Sequence, residues 1–254
     1  MAVAEVQRKY EQIAADLRAA IQDGTLEPES KLRSERQMMS DYGVSQGTIR
    51  KAISALQSEG LVIAVHGSGS YVAPRPPISR KASSRFLRSN REERGKAAFL
   101  AEAEDEGRAA EVEIIRIGQE VAPNRIVPLL QLRKGSKVLV RSRLYKVDGV
   151  PVETATTYIP WRLAKGTPMV EENTGPGGVY ARLEESGHRL ARFTEDVWSR
   201  MPNPIEVSQL ELAPGVPVIE LSRVAYTTDD EPVEVCETLL AANRFALRYD
   251  FPAE

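Results

Sequence analysis

Residues 45–59 read Ser45-Gln-Gly-Thr-Ile-Arg-Lys-Ala-Ile-Ser-Ala-Leu-Gln-Ser-Glu59. Ile49, Ala52, Ile53 and Leu56 recur at i, i+3, i+4 and i+7, the spacing that gathers side chains on one face of an α-helix. The other face carries Gln46, Arg50, Ser54 and Gln57, with no carboxylate before Glu59. Ser45 is a good N-cap, and the turn after it is small and polar. Such a helix can bury one side and lay a hydrogen-bonding N-terminus against an anionic surface. The stretch therefore reads as a DNA recognition helix.

Its flanks fit that reading. Tyr10 to Gly24 predicts a first helix, with Tyr10, Ile13, Leu17 and Ile21 on one stripe and Gly24 as a stop. A second, short helix is predicted from Ser34 to Tyr42, with Ser34 three residues before Gln37 in a capping-box arrangement. Gly43 ends it, and Val44 and Ser45 lead directly into the opening helix. That is the short connection of a helix-turn-helix. Residues 61–65, the glycine turn His66-Gly-Ser-Gly69 and residues 70–72 then predict strand, turn and strand, a wing.

Composition sets the outer limits. A chain of 254 residues suggests two domains, and 42% hydrophobic with 28% charged residues is that of an ordinary globular protein. No apolar run approaches the roughly 20 residues of a membrane span, and no signal peptide is read, so a cytoplasmic protein away from the membrane is expected. One cysteine and two distant histidines argue against a disulfide framework and a metal site. Cys236 reads as a buried strand residue. Nothing in the chain suggests a cofactor. Charge is segregated: residues 1–76 hold nine basic and nine acidic side chains, residues 77–96 seven and two, and the remainder 18 and 25. Contact with a polyanion belongs to the first hundred residues.

Tyr10-Glu-Gln-Ile-Ala, Gly24-Thr-Leu, Lys31-Leu-Arg-Ser-Glu-Arg36, Val44-Ser-Gln-Gly-Thr-Ile-Arg50 and Glu59-Gly-Leu, followed by His66-Gly-Ser-Gly-Ser-Tyr-Val72, resemble the winged helix-turn-helix of the GntR family of bacterial transcription regulators. The resemblance implies a phosphate contact for Arg36. It implies base reading in the major groove by the first turn of the recognition helix, Ser45, Gln46, Gly47, Thr48 and Arg50. It places His66 and Gly67 at the minor groove. Two residues depart from the family pattern: Arg33 stands where Pro is usual, and Gln46 where Arg is usual. Arg suits guanine and Gln suits adenine, so the operator is expected to differ from its relatives' at the base that Gln46 reads.

Residues 1–74 are thus expected to form the DNA-binding domain and 75–94 a basic, proline-containing linker that solvates, tracks phosphates or covers a ligand through Ser83, Arg85 and Phe86. Residues 95–254 form the body. Within it Gln131 to Arg143, followed by Pro151-Val-Glu153, lines up with Glu211 to Arg223, followed by Pro232-Val-Glu234. Each copy predicts a glycine turn, a strand, a hairpin and a return strand. Helices are predicted over 95–106 and 179–187, giving an α+β fold with an antiparallel sheet. By alternation Leu139, Arg141, Arg143 and Tyr145 share one strand face, and Val138, Val140 and Leu144 share an apolar one. Glu153 and Glu234 could each be the cross-strand counterion of Arg143 and Arg223. Alternatively Arg141, Arg143 and Arg223 ring a pocket for an anionic small molecule.

Residues from about 95 to 252 also resemble the UTRA effector domain of the HutC branch of that family, with its chorismate lyase-like fold. The resemblance implies a ligand site at Arg141, Arg143, Glu234 and Gly178 to Tyr180, to which the repeat adds Tyr145, Glu153 and Arg223. Where phosphosugar-binding relatives carry Tyr and Ser, this chain has Leu240 and Gly178, so a more apolar or larger effector is expected. The whole reads as a homodimeric regulator, a repressor released by an effector from palindromic double-stranded operator DNA. Two other readings stand beside it: a body that only dimerises or binds protein, and an enzyme. Against an enzyme, no nucleophile elbow, phosphate loop or metal-ligand cluster is found.

Overall fold

The computed structural model describes residues 2–65, 67–73, 78–81, 98–105 and 107–251. Three helices make the head: α1 (Ala2–Gln22), α2 (Glu35–Tyr42) and α3 (Gln46–Ser58). The first begins earlier than the Tyr10 start expected from its stripe. Ser34 caps α2 in a full capping box with Gln37, and Gly43 ends it in the left-handed region at φ 63°. Ile49, Ala52 and Leu56 of α3 are wholly buried against Ile13, Leu17, Met38, Val62 and Val72, so the apolar stripe does hold the helix down. Arg18 of α1 donates twice to Glu59, at 2.7 and 2.6 Å, which fixes the C-terminal end of α3. The wing is β1 (Val62–Val65) paired antiparallel with β2 (Gly69–Val72).

The body is a six-stranded antiparallel sheet. Its strands are β4 (Ala110–Val121), β5 (Lys137–Val147), β6 (Val150–Pro160), β7 (Leu190–Arg200), β8 (Val218–Thr227) and β9 (Pro232–Ala241), in the order β4-β5-β6-β9-β8-β7. That order reads the same from either edge, as a duplicated unit of three strands joined at β6–β9 would. The duplication reaches fine detail. Gln131 and Glu211 both adopt positive φ, 50° and 48°, and both hairpins carry a register shift at matching places, after Tyr145 and after Ala225. In the first hairpin Asp148 and Gly149 both have positive φ, the condition for a tight two-residue turn.

Helices α4 (Ala98–Asp105), α5 (Ile126–Leu129), α6 (Trp161–Ala164), α7 (Gly178–Glu185) and α8 (Pro204–Gln209) complete the body with a short strand pair, β3 (Ile78–Lys81) parallel to β10 (Phe245–Arg248). Three features depart from the sequence reading. Strands β4 and β7 flank the repeat where none were expected. Residues 78–81, placed in the linker, form a strand of the body. And the arginine face of β5 is no less buried than its partner: Leu139 packs there with Ile159, Met169 and Leu183, while Val138 and Val140 pack with Ile126 on the other side. Cys236 is buried on β9.

Candidate functional site

The reading surface of the head starts at the N-cap of α3. The Ser45 hydroxyl accepts from the Thr48 backbone N–H at 3.4 Å and meets the Thr48 hydroxyl at 3.0 Å. Thr48 is only 4% exposed, so its side chain serves the cap and the core. Ser45, Gln46, Gly47 and Arg50 are exposed around it, as is Arg36 on α2. Gln46 and Arg50 are tied to one carboxylate. Glu35, the first residue of α2, accepts from Gln46 Nε2 at 2.6 Å and from Arg50 Nε at 3.0 and 3.1 Å. These bonds hold Glu35 below the usual carboxylate range, Gln46 contributing most and Arg50 next. Sequence reasoning missed Glu35, because it sits on another helix and meets these partners only through the turn. Gly67 is exposed at the wing tip with φ 73°. His66, Ser83, Arg85 and Phe86 lie outside the described residues.

The second constellation lies on the arginine face of the sheet. Register places Arg141 opposite Thr157, Arg143 opposite Ala155, Tyr145 opposite Glu153, Arg223 opposite Cys236, and Glu234 opposite Ala225. All therefore share one face, with Leu240 also on it and fully buried. Helix α7 covers this face: Tyr180 stacks edge-on to Phe193 at 5.4 Å and donates its hydroxyl to Glu234 at 3.1 Å. Phe99 of α4 meets Tyr145 edge-on at 4.8 Å. Gly178 opens α7 with φ 66°.

The charged groups pair differently from the sequence expectation. Arg223 does meet Glu234, at 3.5 Å. Burial pushes the Glu234 carboxyl up, against the pull of Arg223 and the Tyr180 hydroxyl. Arg143, by contrast, donates to the Thr157 hydroxyl at 2.6 Å and not to Glu153. Ala155 stands across from Arg143 in the ladder, so Thr157 and Glu153 are its two diagonal neighbours on the partner strand, and the guanidinium turns to Thr157. Glu153 is 4% exposed with Oε2 lacking a hydrogen bond, and Arg143 Nε likewise lacks one. Arg141 is committed elsewhere: it donates to the carbonyls of Met169 at 2.6 Å, Glu171 at 2.5 Å and Glu172 at 3.0 Å. Its guanidinium fastens that segment to the sheet.

One member of the cluster was hidden in the expected linker. Arg80 of β3 is 1% exposed and donates to both oxygens of Glu195, at 3.0 and 2.5 Å. Glu195 stands directly opposite Arg223 in the β7–β8 ladder. A chain of charged groups thus runs Arg80, Glu195, Arg223 and Glu234, and ends at the neutral Tyr180 hydroxyl that donates to Glu234. Among the described residues no group of His, Cys, Asp and Glu is arranged to hold a metal ion, and no helix is long and apolar enough to cross a membrane.

A winged helix-turn-helix head on a duplicated antiparallel sheet defines a class of DNA-binding regulators with an appended C-terminal domain. Residues 9–72 match the family model for bacterial regulatory proteins of the gntR family, and residues 105–246 match the UTRA domain. The chain belongs to the GntR family of bacterial transcription regulators, in the group whose body is a UTRA domain. It is a DNA-binding transcription regulator, not an enzyme. An uncharacterized HTH-type transcriptional regulator of Streptomyces coelicolor is 30% identical over 248 residues, 96% of this chain and 92% of that one. The transcriptional repressor NagR of Bacillus subtilis is 22% identical over 93% of this chain and 91% of its own. A solved GntR-family regulator is 26% identical, with a TM-score of 0.66 covering 97% of this chain and 98% of that one.

Proposed function

We propose that the chain is a homodimeric repressor that binds a palindromic operator and leaves it when a small, anionic effector with an apolar part occupies the arginine face of the body. The observation that carries this reading is the Arg80–Glu195 contact. Strand β3 follows the wing after five residues, 73–77, and it ends inside the same charged cluster that α7 covers. An anion arriving among Arg80, Arg143 and Arg223 competes with Glu195 and Glu234 for them, so occupancy is felt by the strand that leads to the head. Glu153 Oε2 and Arg143 Nε, buried without hydrogen bonds, call for a ligand or water offering both a donor and an acceptor. Leu240, buried on this face with Tyr145 and Leu221, favours an effector with an apolar portion.

Two-fold pairing follows from the operator. One head reads a half-site, and two heads about 34 Å apart read a palindrome. Trp198, on the sheet face turned away from the arginines, is 43% exposed and supplies apolar surface for such pairing. The test is a thermal-shift screen of the intact protein against anionic metabolites. A specific effector at 100 times its Kd adds about 2.7 kcal/mol, and the same compound should release operator DNA. A body that only dimerises would show neither effect. For the head, Gln46→Arg should move the preferred base at one symmetric operator position toward guanine in a binding-site selection, by about tenfold. Unchanged specificity would remove Gln46 from the reading set.

A further inference from the structure

We infer that Glu35 sets the base specificity of this head by fixing how Gln46 and Arg50 present themselves to DNA. An ionised carboxylate only accepts hydrogen bonds, whereas a glutamine amide can turn either end outward. The 2.6 Å bond from Gln46 Nε2 therefore fixes which way round the amide lies. With one Nε2 hydrogen given to Glu35, the second hydrogen and the Oε1 acceptor remain for the groove. That donor and acceptor pair is what the N7 and N6 positions of adenine require. Arg50 is treated alike: its Nε is held by both oxygens of Glu35 at 3.0 and 3.1 Å, which leaves its two Nη nitrogens to reach guanine or phosphate.

The carboxylate stands on the exposed side of the head, with a side chain 35% exposed beside an Arg50 side chain 65% exposed. A negative charge there opposes every duplex through its phosphates, so it lowers affinity without regard to sequence. The gain is selectivity: a preset amide loses little on the right base and leaves mismatched donors or acceptors on the wrong one. Its two partners keep Glu35 ionised at neutral pH, which maintains the acceptor-only state on which the arrangement depends.

The test uses intact protein, the operator returned by binding-site selection with the wild type, and that operator's single-position variants. Glu35→Gln keeps the shape of the side chain but can donate as well as accept, so the Gln46 amide is free to reverse. It should bind all duplexes more tightly, while discrimination at the Gln46 position falls by about five- to tenfold. In a Gln46→Ala background the same substitution should leave discrimination at that position unchanged. A uniform rise in affinity with an unaltered base profile would make Glu35 a repulsive charge only and overturn the inference. So would a loss of discrimination of the same size in the Gln46→Ala background, or uniformly weaker binding by Glu35→Gln with both profiles unchanged. A wild-type selection that returns no consensus would overturn the assignment of α3, and the role of Glu35 with it.

Discussion

Arg80→Met should cost the body about 3–5 kcal/mol of stability, the penalty for leaving one member of a buried ion pair without the other. Arg80 is 1% exposed, its partner Glu195 has a side chain 12% exposed, and both oxygens of that carboxylate accept from the guanidinium. Methionine fills much of the same volume but returns no charge, so Glu195 loses both guanidinium bonds while still accepting from the Tyr249 hydroxyl at 3.3 Å. The double variant Arg80→Met with Glu195→Met should recover most of the loss, because replacing both members of a buried pair by apolar groups is often near neutral. Both tryptophans, Trp161 and Trp198, belong to the body. Urea unfolding followed by tryptophan emission therefore reports the body alone. A double variant as unstable as the single one would show that the arginine acts through packing and not through its charge.

Arg141→Met should have the second largest effect, several kcal/mol at about 1.5–3 for each hydrogen bond between a charged and a neutral group. Its guanidinium serves three backbone carbonyls between Met169 and Glu172, where no strand or helix neighbour takes them. Burial pushes its pKa down to about 10, which still leaves it charged at neutral pH. Once it is gone the segment loses its anchor, and Met169, buried against Leu183 of α7, loses its hold on the helix that carries Tyr180. Hydrogen exchange should rise over residues 167–174 and through α7. Arg141→Lys should rescue only in part, since one ammonium does not reproduce the planar fork. Full stability of Arg141→Met with loss of an effector response would instead make Arg141 a ligand contact.

The head was legible because its signals are local. The stripe Ile49, Ala52, Ile53, Leu56, the Ser34 and Ser45 caps and Gly43 all act within one or two turns. The central hairpins were legible because they repeat. Strands β4 and β7 were not: they are the two edges of the sheet, polar residues point to both sides, and a register shift near Ile115 breaks the alternation. Strand β3 was hidden for another reason. Its partner β10 lies more than 160 residues away, and Ile78-Ser-Arg-Lys81 inside a basic run looks like solvated chain. Alternation did put Arg143, Arg223, Glu153 and Glu234 on one face, but that Arg223 meets Glu234 while Arg143 turns to its other diagonal neighbour, Thr157, is a choice of rotamer that no spacing announces.

The arginine face and the operator-reading helix are held to be two ends of one equilibrium, linked through Arg80. Coupling between two ligands is reciprocal. The direct measurement is the affinity of intact protein for an effector found by the thermal-shift screen, taken with and without saturating operator DNA. Operator should weaken effector binding by the factor by which effector weakens operator binding, and the Arg80→Met, Glu195→Met double variant, which also loses one cationic contact to the effector, should retain operator affinity with that factor reduced toward one. Equal effector affinity in the presence and absence of operator would contradict the link between body and head.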